Sequence, residues 1–95
     1  MQNKTALITG GAKRIGAEIA RMLHAEGMNI SIHYRSSNSE AQELCDQLNR
    51  LRKNSAIILQ ADLLHTDELP ALVERTVKQW GGLDALINNA STFYP

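Results

Sequence analysis

The chain has 95 residues, 43% of them hydrophobic, with ten Lys and Arg against ten Asp and Glu and a formal net charge of zero. That is enough for one small domain with a core, and it lacks the charge excess of a general nucleic-acid or membrane-surface binder. A single cysteine, Cys45, excludes an internal disulfide framework and a Cys-rich zinc site, and no apolar run approaches the roughly 20 residues of a membrane span.

Lys4 to Thr9 reads as a first strand, apolar on both faces as a central parallel strand should be. The stretch Thr9-Gly10-Gly11-Ala12-Lys13-Arg14-Ile15-Gly16 follows as a glycine-rich turn that opens a helix near Ile15. Ile15, Ile19, Met22 and Leu23 recur at helical spacing, and Gly27 suits a left-handed cap. His24 shows no metal-ligand spacing and is expected at the surface. Met28 to His33 is a second strand, and Tyr34-Arg35-Ser36-Ser37 is the turn after it. Ser37 and Glu40 have capping-box spacing, so a helix is expected from about Asn38, with Ala41, Leu44, Cys45, Leu48 and Leu51 as its apolar stripe. Arg50, Arg52 and Lys53 crowd its last turn, where cations complement the helix dipole.

Ser55 to Ala61 is a third strand. Thr66 is the expected N-cap of a third helix, which tolerates Pro70 in its first turn and buries Leu69, Leu72, Val73, Thr76, Val77 and Trp80. Gly81-Gly82 ends it, and Leu83 to Asn88 is a fourth strand. Strands alternating with helices predict an α/β fold, a Rossmann-type doubly wound parallel sheet. The expected strand order is 3-2-1-4, for which right-handed crossovers put the first two helices on one face and the third on the other. A ligand is then expected at the switch point between strands one and four, flanked by the glycine turn and the Asn88-Asn89-Ala90 loop. Strand four would be left as an apolar edge, so residues 1–95 are expected to be the N-terminal portion of a single Rossmann domain that continues beyond Pro95. Gln2, Asn3 and Lys4 lead directly into the first strand, so no secretory leader is expected and the reading is cytoplasmic.

The chemistry lies in the turns. A strand, a glycine turn and a helix start present backbone N–H groups to a phosphate, and Gly10 and Gly16 let the backbone approach closely. A P-loop would need Lys then Ser or Thr after its last glycine, whereas Ala17 and Glu18 follow Gly16. The reading is therefore a nicotinamide-dinucleotide site. An NAD site places a carboxylate about 20 residues beyond the glycine turn. His33-Tyr34-Arg35-Ser36 has none, and Arg35 and Ser36 would instead receive a 2′-phosphate, with Lys13 and Arg14 close by. NADP(H) is the expected cofactor. Asp62-Leu63, after the third strand, suits the adenine, the carboxylate accepting from its amine while the leucine packs on the ring. Asn89 and Ala90 would meet the ribose and nicotinamide side.

Thr9-Gly-x-x-x-x-x-Gly16, Asp62-Leu63 and Asn88-Asn89-Ala90 together resemble the short-chain dehydrogenase/reductase superfamily over essentially the whole chain. The sequence departs from that superfamily's usual pattern with Arg14 in place of the middle glycine and Ser91 in place of glycine after Asn-Asn-Ala. Both departures resemble the pteridine reductases, as do Leu23-His-Ala-Glu-Gly27, Ile32-His-Tyr34, Gln60-Ala-Asp-Leu63 and Asn88-Asn-Ala-Ser-Thr-Phe-Tyr-Pro95. The resemblance implies that Arg14 contacts cofactor phosphate and the substrate side, that Ser91 hydrogen-bonds the pterin or a cofactor phosphate, and that Phe93 stacks on the pterin. It implies NADPH-dependent reduction of a pterin or dihydrofolate-type substrate, no nucleic-acid or membrane partner, and a homo-oligomer, commonly a tetramer. The family's Tyr-x-x-x-Lys pair is not in these residues, so no catalytic residue and no metal ligand is expected here. The alternatives are a short-chain reductase of another carbonyl, such as a 3-oxoacyl substrate, and a non-catalytic nucleotide-binding member.

Overall fold

A computed structural model describes residues 3–63 and 68–89. Their elements run β1 (Thr5–Thr9), α1 (Arg14–Ala25), β2 (Asn29–Tyr34), α2 (Asn38–Leu51), β3 (Ala56–Gln60), α3 (Glu68–Trp80) and β4 (Ala85–Asn88). The four strands form one parallel sheet in the order β3-β2-β1-β4, as expected. Ile8 pairs with Ile32 on one side and Ile87 on the other, so the ends of β1, β2 and β4 sit side by side.

The two faces carry separate cores. Ala6, Ile8, Ile30 and Ile32 pack with α1 and α2 through Ala17, Ala20, Ala41, Leu44 and Leu48. Leu7 and Leu59 point the other way, to Leu72 of α3, with Ala61 and Leu63. The division follows from the alternation of side chains along a strand. All five residues of β1 are buried, as a central strand covered on both faces requires.

Helix α1 departs from expectation. Its buried residues are Gly16, Ala17, Ala20 and His24, while Ile15 and Met22 are 69% and 67% exposed. The small side chains let the helix lie close to the sheet, and the bulkier ones move to its flanks. His24, expected at the surface, is buried: its Nε2 lies 2.7 Å from Ser55 Oγ, whose own proton goes to the Arg52 carbonyl, so the ring donates. Arg52 likewise serves a helix other than its own. Its guanidinium donates to the carbonyls of His24, at 3.0 Å, and Met28, capping the C-terminal end of α1. Gly27 takes the expected left-handed conformation, φ +97°.

In α2 the expected capping box does not form. Ser37 makes no side-chain cap, and the Glu40 carboxylate reaches Lys13 at 3.6 Å. Leu51 is 75% exposed, past the end of the buried stripe. In α3 only Leu72 and Thr76 are fully buried. Val77 lies outside the core, and Trp80 is half-buried with its Nε1 donating to the Asn54 carbonyl. Thr76 donates to the Leu72 carbonyl and receives the Ser31 hydroxyl, tying α3 to β2. The expected Thr66 cap lies outside the described residues. None of the described helices is long and apolar enough to cross a membrane.

Burial holds both His24 and His33 below the ordinary imidazole value of 6.5, with the Arg52 charge adding to the effect at His24. The unfolded chain therefore binds more protons than the folded one in the interval beneath 6.5, and stability rises with pH there. The contribution is complete above 6.5 and lost as pH falls through the lowered folded values. Urea midpoints of the full-length protein should be level at neutral pH and decline below that value, with a shallower decline in His24→Gln. An equal slope in the variant would show that His24 is not involved.

Candidate cofactor cleft

The carboxyl ends of β1, β2 and β4 and the start of α1 enclose a cleft of about 490 Å³. Its walls include Gly10, Lys13, Arg14, Ile15, His33, Tyr34, Arg35, Ser36 and Asn89, all expected from the sequence, together with Ala12 and Ser37, which were not.

The turn itself is built by close approach. A Cβ on Gly16 would lie 2.2 Å from the Gly10 carbonyl oxygen and 2.7 Å from Asn89 Nδ2, so the helix begins hard against the end of β1. Gly10 has φ +63°. Arg14 has φ +53°, a left-handed conformation that an arginine adopts only under constraint. A glycine at this place would take that conformation without cost, so the guanidinium is present at the expense of backbone strain.

The N–H of Gly10 donates to His33 Nδ1 at 2.9 Å, and that of Gly11 to the His33 carbonyl at 3.0 Å. These two donors are turned into the protein. The groups left for an anion are the N–H groups of the first turn of α1, which have no partner within the helix. Gly10 thus shapes the turn without offering its own N–H. His33 is corrected in the same way. The ring is 3% exposed and its Nε2 lies 2.8 Å from the Ala61 carbonyl, so both nitrogens are used within the protein.

On the β4 side, Thr9 Oγ1 accepts the Asn89 N–H at 2.9 Å and donates to Asn88 Oδ1 at 3.0 Å. Asn89 Nδ2 donates to the Gly10 carbonyl at 3.2 Å. The expected pairing of turn and loop therefore forms, and Thr9 is the pin that holds it. Nothing in the sequence beyond its place at the end of β1 marked that role.

At the rim, Arg35 Nε is 3.8 Å from Asp62 Oδ1, and the Arg35 carbonyl receives the Gln60 amide. Asp62 is thus held beside Arg35, which lines the cleft, and is not itself among the lining residues. Leu63 turns away: it is buried in the core on the α3 face. Tyr34 is half-buried, and its hydroxyl accepts from Asn38. Ala90, Ser91 and Phe93 lie outside the described residues. Among the described residues no cluster of His, Cys, Asp or Glu could hold a metal ion.

A family model described as short chain dehydrogenase matches residues 4–94. The chain belongs to that family. It is 44% identical over 107 residues to pteridine reductase 1 of Leishmania tarentolae, covering 95% of the chain and 37% of that protein. It is 34% identical over 87 residues to the 3-oxoacyl-[acyl-carrier-protein] reductase of Staphylococcus aureus, covering 92% of the chain and 35% of that enzyme. The chain thus spans just over a third of the length of these curated relatives. Oxidoreduction with a nicotinamide cofactor is the chemistry of that family, and the glycine turn, helix start and switch-point cleft are the parts of this chain that such a ligand would meet.

Proposed function

We propose that the chain is the cofactor-binding part of an NADPH-dependent reductase of pterin or dihydrofolate-type substrates. The observation that carries the reading is Arg14, retained in the glycine turn at φ +53° where a glycine would be unstrained, and facing the cleft with Lys13 and Arg35. Strain of this kind persists where the surrounding structure or a ligand uses the side chain. The greater identity to a pteridine reductase than to a 3-oxoacyl reductase supports the same choice.

The cations argue for NADPH. No carboxylate ends β2, and the acids beside the cleft's cations, Glu40 and Asp62, are held by Lys13 and Arg35. Both pairs are largely exposed, and such pairs contribute about 1 kcal/mol or less, so a 2′-phosphate can replace either acid. A bound nicotinamide supplies the hydride. The chain's own part is to hold the pyrophosphate on the first turn of α1, to bind the 2′-phosphate through Arg35, Ser36 and Lys13, and to accept the adenine amine at Asp62. Asn89 borders the ribose and Arg14 the substrate side, roles that the family resemblance extends to Ala90, Ser91 and Phe93. Tyr34 is not followed by lysine four positions on and is not assigned as the proton donor. The enzyme is read as a cytoplasmic homo-oligomer.

In the full-length protein, Arg35→Asp should raise the KM for NADPH about 100-fold, since it removes a charged hydrogen bond and sets a carboxylate against the phosphate. The KM for NADH should change far less. An unaltered preference would remove Arg35 from the site. The reading of the substrate rests on a separate assay: NADPH oxidation with dihydrobiopterin or dihydrofolate, against a 3-oxoacyl thioester. Turnover of the thioester alone would favour the reading suggested by the staphylococcal relative.

A further inference from the structure

His33 is the residue of the cleft with the least to offer a ligand directly, and the geometry points to it as the positioning residue that sets the glycine turn for a dinucleotide. The inference rests on the reading of the cleft as a dinucleotide site. His33 stands on β2, between the two strands whose ends carry the binding turns. Its ring takes the Gly10 N–H at 2.9 Å on Nδ1 and meets the Ala61 carbonyl at 2.8 Å through Nε2. Its carbonyl takes the Gly11 N–H. One residue therefore fixes two successive amides of the phosphate turn and the carbonyl just before Asp62. A planar ring of fixed size sets the distance between the pyrophosphate end and the adenine end of the site.

The arrangement permits one form of the ring. An amide N–H can only donate, so Nδ1 must keep its lone pair, and the proton sits on Nε2, directed at the Ala61 carbonyl. A second proton, on Nδ1, would oppose the Gly10 N–H and release the turn. Gly10 and Gly11 would then be free to rotate, and the phosphate donors of α1 would lose their common aim. The charged groups that line this cleft are Lys13 and Arg14 on the turn and Arg35 after β2, with the uncharged Asn89 from β4, while Glu40 on α2 and Asp62 after β3 pair with Lys13 and Arg35. Burial holds the ring below its ordinary value, against the smaller opposing effect of the Ala61 hydrogen bond.

Two near-isosteres divide the ring's duties. An asparagine places an acceptor where Nδ1 was, and a glutamine places a donor where Nε2 was. Binding of NADPH and of NADH to the full-length protein should be measured for native, His33→Asn and His33→Gln chains by titration calorimetry. His33→Gln should bind both nucleotides about tenfold more weakly, whereas His33→Asn should recover most of the affinity. The ratio of NADPH to NADH affinity should be the same in all three, because the ring acts through the backbone and not on the 2′-phosphate.

The native protein should also lose NADH affinity as pH falls from about 8 to about 5, and His33→Asn should not. NADH is the probe for this arm because it lacks the phosphate monoester that itself titrates near pH 6. A His33→Gln protein that binds as the native does, or a pH profile shared by native and His33→Asn, overturns the inference. Should the glutamine variant not fold, the native profile decides, and one that stays level overturns the inference alone. A native protein that binds neither nucleotide overturns the dinucleotide reading, and this inference with it.

Discussion

Gly16→Ala should weaken dinucleotide binding by about 100-fold or more in the full-length protein and destabilise it by about 3 kcal/mol. The added methyl has nowhere to go. Its carbon would lie 2.2 Å from the Gly10 carbonyl oxygen, 2.7 Å from Asn89 Nδ2 and 2.9 Å from the Gly11 Cα. Two of those atoms are backbone, so the clash can be relieved only by lifting α1 away from β1, which misaims the N–H groups at the head of the helix. Truncating Asn89 would not rescue the variant, because the Gly10 carbonyl remains. Gly82→Ala is the control: nothing lies within 4 Å of a Cβ there, and both stability and binding should match the native protein. Equal binding by Gly16→Ala and Gly82→Ala would mean that the turn has room the structure does not show.

Thr9→Val should cost about 2 kcal/mol and raise the cofactor KM about tenfold, although the two side chains have the same shape. Thr9 is 1% exposed, and its hydroxyl both accepts the Asn89 N–H and donates to Asn88 Oδ1. Valine fills the volume but removes both bonds, leaving the half-buried Asn89 N–H without its acceptor while the exposed Asn88 can turn to water. Asn89 then loses the anchor that holds its amide on the Gly10 carbonyl, so the turn loosens from the β4 side as well. Thr9→Ser keeps the hydroxyl and should restore the KM while leaving a modest loss of stability. If Thr9→Val binds normally while melting earlier, the hydroxyl holds the fold but not the site.

The elements and their order were legible because hydrophobic periodicity, glycine and chain connectivity each constrain a parallel sheet independently. Once the β3-β2-β1-β4 order is taken, crossover handedness assigns each helix to its face of the sheet. What could not be read were contacts between groups distant in sequence. Arg52 caps a helix that ends 27 positions earlier, and its own helix gave a sufficient but mistaken reason for its presence. His24 had a visible signal: it continues the Ala17 and Ala20 row at i+4. The bulk of Ile15 and Met22 drew the apolar stripe too wide, since of its members only Ile19 and Leu23 pack against the core. A helix that packs closely on a sheet buries its small residues.

In the cleft, residue type identified the cations and glycines, and composition at the end of β2 excluded a carboxylate. The direction of each side chain was a different matter. Leu63 and His33 sit at the expected places in the chain, yet one turns into the α3-side core and the other engages both nitrogens with backbone. Glu40 left its helix cap for Lys13, a choice between two partners of similar strength that spacing cannot decide.

The bonds that assemble the cleft differ greatly in how much chain they enclose. His33 reaches its partners across 23 and 28 residues, whereas Asn89 reaches Thr9 and Gly10 across 80 and 79. Loops close at an entropic cost that grows with length, and a ribosome delivers about 5–20 residues each second. The wall between the first and third strands is therefore available to form seconds before residue 89 has been made. The cleft is built from one end, and the clamp on Asn89 closes last.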